Sequence, residues 1–154
     1  MKHALIRLFV LVGVLALRTG LAAAPTPAPL PEPVLVVGPT VIAFAPVVSA
    51  AELEHLTNNA IALDDFAHYL AESRPCLVAS GVVLHEVHGS QIRTRQGSRI
   101  ASFNTGAASA FGYYLVAPGR KAKILRGVHT SADLVTAASA YFSIPISAPC
   151  AASK

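Results

Sequence analysis

Apolar runs broken by glycine and proline set the outline of this chain. Residues 34–37 form a short apolar run, a strand candidate that Gly38-Pro39 ends, and residues 40–45 form an almost wholly apolar run that Pro46 closes. Apolar runs of that length suit a strand buried on both faces. Ser49, with Glu52 three residues on, reads as a capping box opening a helical stretch over 50–57. Thr57-Asn58-Asn59 predicts a bend. Helix resumes near Ala60 and reaches Ser80, with Phe66, Leu70, Arg74 and Leu77 at helical spacing. Pro75 inside that pattern predicts a kink or a division. Gly81 is the expected left-handed stop.

Residues 82–88 predict the next buried strand. Residues 91–95 and 98–103 alternate around Gln96-Gly97 in the manner of an exposed hairpin. Residues 104–110 predict a loop or one helical turn. Residues 112–117 and 121–126 predict a second hairpin through Pro118-Gly119. Thr130 and Asp133 then cap a last helix with Leu134, Ala138, Tyr141 and Phe142 on one face. Pro145 and Pro149 end regular structure, and internal repeats are absent.

The amino-terminal pattern differs. A basic start, Met1-Lys2-His3, precedes an apolar stretch over 4–17 interrupted by Arg7, then Arg18 and a run of small residues. That is the layout of a secretory signal, with cleavage expected after Ala22. The alternative, an uncleaved anchor, has an apolar run short of the roughly 20 residues that span a bilayer. Proline occupies every second position from Pro25 to Pro33, which predicts an extended polyproline II spacer.

With 53% hydrophobic and 13% charged residues, the 154-residue chain is neither disordered nor long enough for two full domains. Two cysteines exclude a disulfide-dense miniature scaffold and a four-cysteine zinc module. The absence of tryptophan and the few other aromatics disfavour a stacking platform for single-stranded nucleic acid. Removing residues 1–22 takes away Lys2, Arg7 and Arg18, leaving nine basic residues against eight acidic ones. Net charge then gives no reason to invoke nucleic acid. The distribution is uneven: Arg74 is the only cation over 23–89, while 90–126 hold seven cations and no acid. Arg93, Arg95, Arg99, Arg120, Lys121 and Lys123 therefore form a candidate basic patch. Either acidic helices compensate it, or it meets an anionic partner such as a membrane surface.

Cys76 and Cys150 are the only thiols. In an oxidising compartment they predict one structural disulfide, the alternative being two separate thiols with one reactive. His85-Glu86-Val87-His88 lacks the spacing of His-Glu-x-x-His and falls on a strand, where His85 and His88 diverge; structural or solvated histidines are expected, and no metal or cofactor. Asp64 and Asp65 diverge by about 100° on a helix and read as solvated surface. No phosphate-binding glycine loop, Gly-x-Ser-x-Gly or dinucleotide fingerprint is present.

The order of elements is strand, long helix, strand, connection, hairpin, closing helix. In it, and best in residues 112–134 with their hairpin, glycine and capped helix, the chain resembles the thioredoxin-like superfamily over about residues 36–143. The resemblance implies an α/β fold, a mixed central sheet flanked by helices. It lays Ser49-Ala50-Ala51-Glu52 where redox-active members carry Cys-x-x-Cys, and Phe111 near the place of their cis-proline. A serine there has no accessible oxyanion at neutral pH without a base. The resemblance further implies a peptide-contact surface around Ser49, Phe111 and Gly112.

The expectation is a signal peptide over 1–22, a proline-rich linker over 23–33, a thioredoxin-like domain over 34–146 and a tail over 147–154. The product is then exported, periplasmic or secreted: a non-catalytic binding or accessory module of the bacterial envelope with a protein or peptide partner. The alternatives are a divergent thiol oxidoreductase or peroxidase-like enzyme using Cys76 and Cys150, and a membrane-anchored envelope protein.

Overall fold

The structure is a computed structural model that describes residues 30–47, 57–106 and 110–146. The elements are β1 (Val34–Leu35), β2 (Thr40–Ala45), α1 (Thr57–Ala79), β3 (Val83–His88), β4 (Gln91–Gln96), β5 (Arg99–Asn104), β6 (Gly112–Val116), β7 (Lys123–Arg126) and α2 (Ser131–Phe142). Together they make an α/β fold with two mixed sheets. Its centre is β2, the most apolar segment, which is buried along its whole length. It pairs parallel with β3 and antiparallel with β6, and β6 pairs with β7, so the four-stranded sheet runs β3-β2-β6-β7.

Alternation along β2 divides the core in two. Val41, Ala43 and Ala45 meet Phe66, Leu70 and Leu77 of α1 and Leu134, Val135, Ala138 and Phe142 of α2. Ile42 and Phe44 point the other way, into a second cluster with Val36, Ile92 and Val116. Burying side chains such as Ile42 and Phe44 contributes about 1.5–3 kcal/mol each. The cover on that second face is a three-stranded sheet, β1-β4-β5, with β1 parallel to β4 and β4 antiparallel to β5.

This cover changes the reading of the first hairpin. The hairpin forms and its β5 strand is exposed from Arg99 to Ser102, but β4 is not: Ile92 and Thr94 are buried, and Phe103 packs beside Phe44 and Tyr114. A central strand apolar on both sides needs two covers, and both helices occupy the other one. The alternation that looked solvent-facing is a strand with one wet face and one dry face. The converse correction applies to β3. It was expected to be buried, but it is the sheet edge, with alternating exposed and half-buried positions and Val83 exposed. The polar positions His85, Glu86 and His88 fit that edge.

Helix α1 begins at Thr57 and runs through Pro75 without a division, while the helical stretch expected over 50–57 lies, but for Thr57, outside the described residues. The proline removes the donor to the carbonyl of Ala71, and both residues lie on the exposed side of the helix. The buried stripe is Phe66, Leu70, Ser73 and Leu77, not Arg74, which is exposed and pairs with Glu86 of β3. Ser73 is tolerated there because its Oγ donates to the Tyr69 carbonyl at 2.6 Å. Gly81 ends the helix as expected, at φ +76°. The Val82 amide donates to Leu77 at 2.9 Å and the Gly81 amide to Val78 at 3.0 Å. At α2, Thr130 accepts the Asp133 amide at 3.2 Å, as the cap pattern predicts, and Ser143 closes the helix at φ 58°.

The expected signal (1–22) and tail (147–154) lie outside the described residues. Of the linker, residues 30–33 have no regular structure, and the Pro31 carbonyl accepts from Arg93 at 3.1 Å. No helix among the described residues is long and apolar enough to cross a membrane.

Candidate functional site

The two sheets close on each other around Ile42, Phe44, Ile92 and Phe103 and part toward the ends of their hairpins. There they leave a cleft of about 390 Å³, lined by Thr94, Gln96, Arg99, Ala101, Tyr114, Val116, Gly119, Arg120 and Ala122. Register explains the lining. Thr94 stands opposite Ala101 and Gln96 opposite Arg99, so these four share one face of the β4–β5 pair. Tyr114 and Val116 are the next two residues on that side of β6. The Pro118-Gly119 turn folds back to bring Arg120 and Ala122 to the same opening.

The lining mixes polar and apolar groups and carries two cations, Arg99 and Arg120. Tyr114 stacks on Phe103 with ring centroids 5.1 Å apart. Burial pushes its phenol above the ordinary value, so the group stays neutral and can donate. Arg120 is held in place. Its Nη1 donates to the main-chain carbonyl of Tyr141 and lies 3.5 Å from Ser143 Oγ, at the carboxyl end of α2, where free carbonyls favour a cation. The Tyr141 hydroxyl in turn donates to the Lys121 carbonyl at 3.1 Å. Burial raises the Tyr141 phenol against the opposing pull of the nearby Arg120 charge, so it too remains a donor. The Arg99 side chain forms no hydrogen bond or ion pair among the described residues.

The six basic candidates do not converge. Arg99 and Arg120 line the cleft. Arg93 and Arg95 alternate with Thr94 and face away from it, with Arg93 spent on the Pro31 carbonyl. Lys123 pairs in register with Leu115, on the helix side of the sheet, and Lys121 is exposed outside the cleft. Sequence reading found the cations but not this division, because which face each strand buries was not visible. It missed Thr94, Gln96 and Tyr114 for the same reason. The one available signal was the alternation of Ile92, Thr94 and Gln96.

The other candidates separate as well. Ser49 lies outside the described residues. Phe111 and Gly112, expected at a contact surface, are buried. Phe111 packs on Phe66 at 5.5 Å, and a Cβ on Gly112 would meet the Leu125 carbonyl at 2.2 Å and Phe44 Cζ at 2.7 Å. They contribute close packing, not an exposed face. Cys76 lies half-buried in the last turns of α1, no free cysteine occurs among the described residues, and Cys150 lies outside them. Glu86 is paired with Arg74, and His129 Nε2 meets the Arg126 carbonyl at 3.0 Å. Among the described residues no three of His, Cys, Asp and Glu come together as metal ligands would. Asp64 and Asp65 are exposed.

The cleft thus offers cationic and neutral donors beside apolar groups. Among its lining residues none is a carboxylate, imidazole or thiol, so the arrangement suits binding and orienting. In comparison with known proteins, the chain matches no family model, no curated protein and no solved structure.

Proposed function

We propose that the chain is an exported protein of the bacterial envelope, a thioredoxin-like domain without a redox motif that serves as a non-catalytic binding or accessory module. The β2-α1-β3 crossover and the β6-β7-α2 unit on one mixed sheet support the thioredoxin-like reading. In place of further helical cover, the second face carries the β1-β4-β5 sheet, and this departure creates the cleft.

The observation that carries the non-redox reading is the place of Cys76. It lies near the carboxyl end of α1, far along the helix from the segment that follows β2. Carbonyls rather than amides are free at that end, the wrong polarity to support a thiolate nucleophile. The segment following β2, residues 46–56, contains no cysteine at all. The purified exported chain is therefore expected neither to accelerate dithiothreitol-driven reduction of insulin nor to repair scrambled disulfides. Turnover that disappears in Cys76→Ser would overturn the reading. Export is read separately, by mass spectrometry of the amino terminus, with Ala23 expected first.

A further inference from the structure

We propose that the cleft between the two sheets binds a small amphipathic anion: a single carboxylate head held by Arg99 and Arg120, with an apolar body laid over Tyr114 and Val116. The inference rests on reading the protein as a binding module and gives that module its ligand class.

Three observations select this class. The first is charge. Both charged residues lining the cleft are arginines, while acids are absent from its lining. A planar guanidinium matches a carboxylate in a two-bond fork. Arg120 is preorganised by Tyr141 and Ser143, which engage Nη1 and leave other donors of its fork unused among the described residues. Arg99 has no competing partner among the described residues.

The second is the floor. Tyr114, Val116, Ala101 and Ala122 line the same cleft as the two cations, with Val116 almost wholly buried beneath it. A fully hydrated inorganic anion would leave that surface wet. An anion carrying a hydrocarbon or aromatic body covers it and gains from removing apolar surface from water. Thr94 and Gln96 supply neutral polar groups along one wall.

The third is size and enclosure. A volume of about 390 Å³ lies at the small end of the range for ligand pockets, roughly 300–1,000 Å³. That admits a body of modest length and excludes a folded partner. Arg93 and Arg95 face away from the cleft, and Lys123 lies on the helix side of the sheet. The cations thus make no single flat patch of the kind that holds a polyanion or a charged bilayer.

The test uses the purified exported chain with decanoate as probe and decanol as its uncharged counterpart, read by titration calorimetry and by amide shifts. Decanoate is expected to saturate one site, with shifts centred on Thr94, Gln96, Tyr114 and Ala122, and decanol to bind far more weakly. Arg99→Gln removes a side chain that the fold does not use. It is expected to weaken decanoate by roughly tenfold to a hundredfold, the worth of a charge-assisted hydrogen bond. Ala101→Phe, at an exposed position on the wall, fills the cleft and abolishes binding, while Arg95→Gln leaves it unchanged.

Decyl phosphate, inorganic phosphate and phosphatidylserine vesicles complete the series. Tighter binding of decyl phosphate than decanoate overturns the carboxylate assignment. Binding of inorganic phosphate as strong as decanoate overturns the role of the floor. Vesicle binding that Arg95→Gln and Arg99→Gln weaken equally, with decanoate unbound, overturns the site in favour of a diffuse basic surface. Insulin reduction measured on the same preparation keeps the two readings apart. Redox turnover with decanoate binding intact removes the non-catalytic reading and leaves the site. Decanoate failure without turnover removes the site alone.

Discussion

Arg120 and Tyr141 fasten the β6–β7 turn to helix α2 in both directions. The Arg120 guanidinium donates to the Tyr141 main-chain carbonyl, and the Tyr141 hydroxyl donates to the carbonyl of Lys121, the residue after Arg120, at 3.1 Å. The β6–β7 turn is thereby fastened to the last turn of α2, and one wall of the cleft is fixed from behind. Arg120→Ala is expected to cost about 1–2 kcal/mol, the worth of a charge-assisted bond at an exposed site. Urea midpoints of the variant and of Arg120→Lys check this. Lysine can reach the carbonyl as a point charge but lacks the fixed planar geometry of the guanidinium, so it recovers part of the stability.

Gly112 is where β6 comes closest to its neighbours. A methyl group there would lie 2.2 Å from the Leu125 carbonyl and 2.7 Å from Phe44 Cζ, a residue at the centre of the second core cluster. Both are held by sheet pairing and packing, so neither can give way cheaply. Gly112→Ala is expected to destabilise by about 3 kcal/mol or more, or to abolish soluble expression. Gly97→Ala is the matched control. It has φ +58° but nothing within 4 Å of an added Cβ, so it should cost only the backbone term of about 1–2 kcal/mol. Equal thermal shifts for the two variants would show that the close approach has no energetic weight.

Tyr113 has a buried hydroxyl without a hydrogen-bond partner among the described residues, and its ring stacks on Phe66 with centroids 5.2 Å apart. Burial pushes its phenol from 10.0 up to about 12. The fold therefore favours the neutral form. That preference contributes fully below pH 10, the unfolded value, and is lost as pH rises through about 12. Stability measured by urea unfolding at alkaline pH should fall across that interval, and Tyr113→Phe should flatten the fall. At neutral pH the same variant removes an unsatisfied polar group and is expected to gain about 1 kcal/mol. A loss at neutral pH would mean that the hydroxyl has an ordered partner.

Much of this architecture was legible in the sequence, and what was not has a common cause. The Thr40–Ala45 strand, the second hairpin, the Gly81 stop and the Thr130 cap each follow from local chemistry: a run apolar on both sides, a Pro-Gly turn, a left-handed glycine, a hydroxyl facing an amide. The errors concern who covers whom. Ile92 and Phe103 lie inside because the second face of β2 had no helix left to cover it, a fact of assembly that no window of sequence contains. Arg74 shares the spacing of the buried stripe, yet Ser73 takes the inner position, because a short side chain bonded to its own helix fits under the strand better than a charge. The cleft was invisible for a related reason. Arg99 and Arg120 are 21 residues apart, and only the facing of two hairpins brings them to one opening.

Cys76 and Cys150 remain the natural pair for one bridge in an oxidising compartment. Cys76 is fixed in α1 beside the main core cluster, so a bridge would fasten the carboxyl-terminal segment to the helix layer, on the side of the sheet away from the cleft. The exported chain is expected to weigh two hydrogens less than its reduced form, with no thiol reactive toward iodoacetamide under denaturing conditions. Closing a loop of this length restricts the unfolded chain, so reduction should lower stability by roughly 4–5 kcal/mol. Cys76→Ser and Cys150→Ser should each show that loss, and the double variant no more than either, since one covalent link is removed in all three cases. Additive losses would mean that the thiols act separately. Because the bridge would belong to the helix layer, decanoate affinity should be unchanged by reduction so long as the domain remains folded. A parallel fall in affinity and in thiol protection would instead couple the cleft to the bridge.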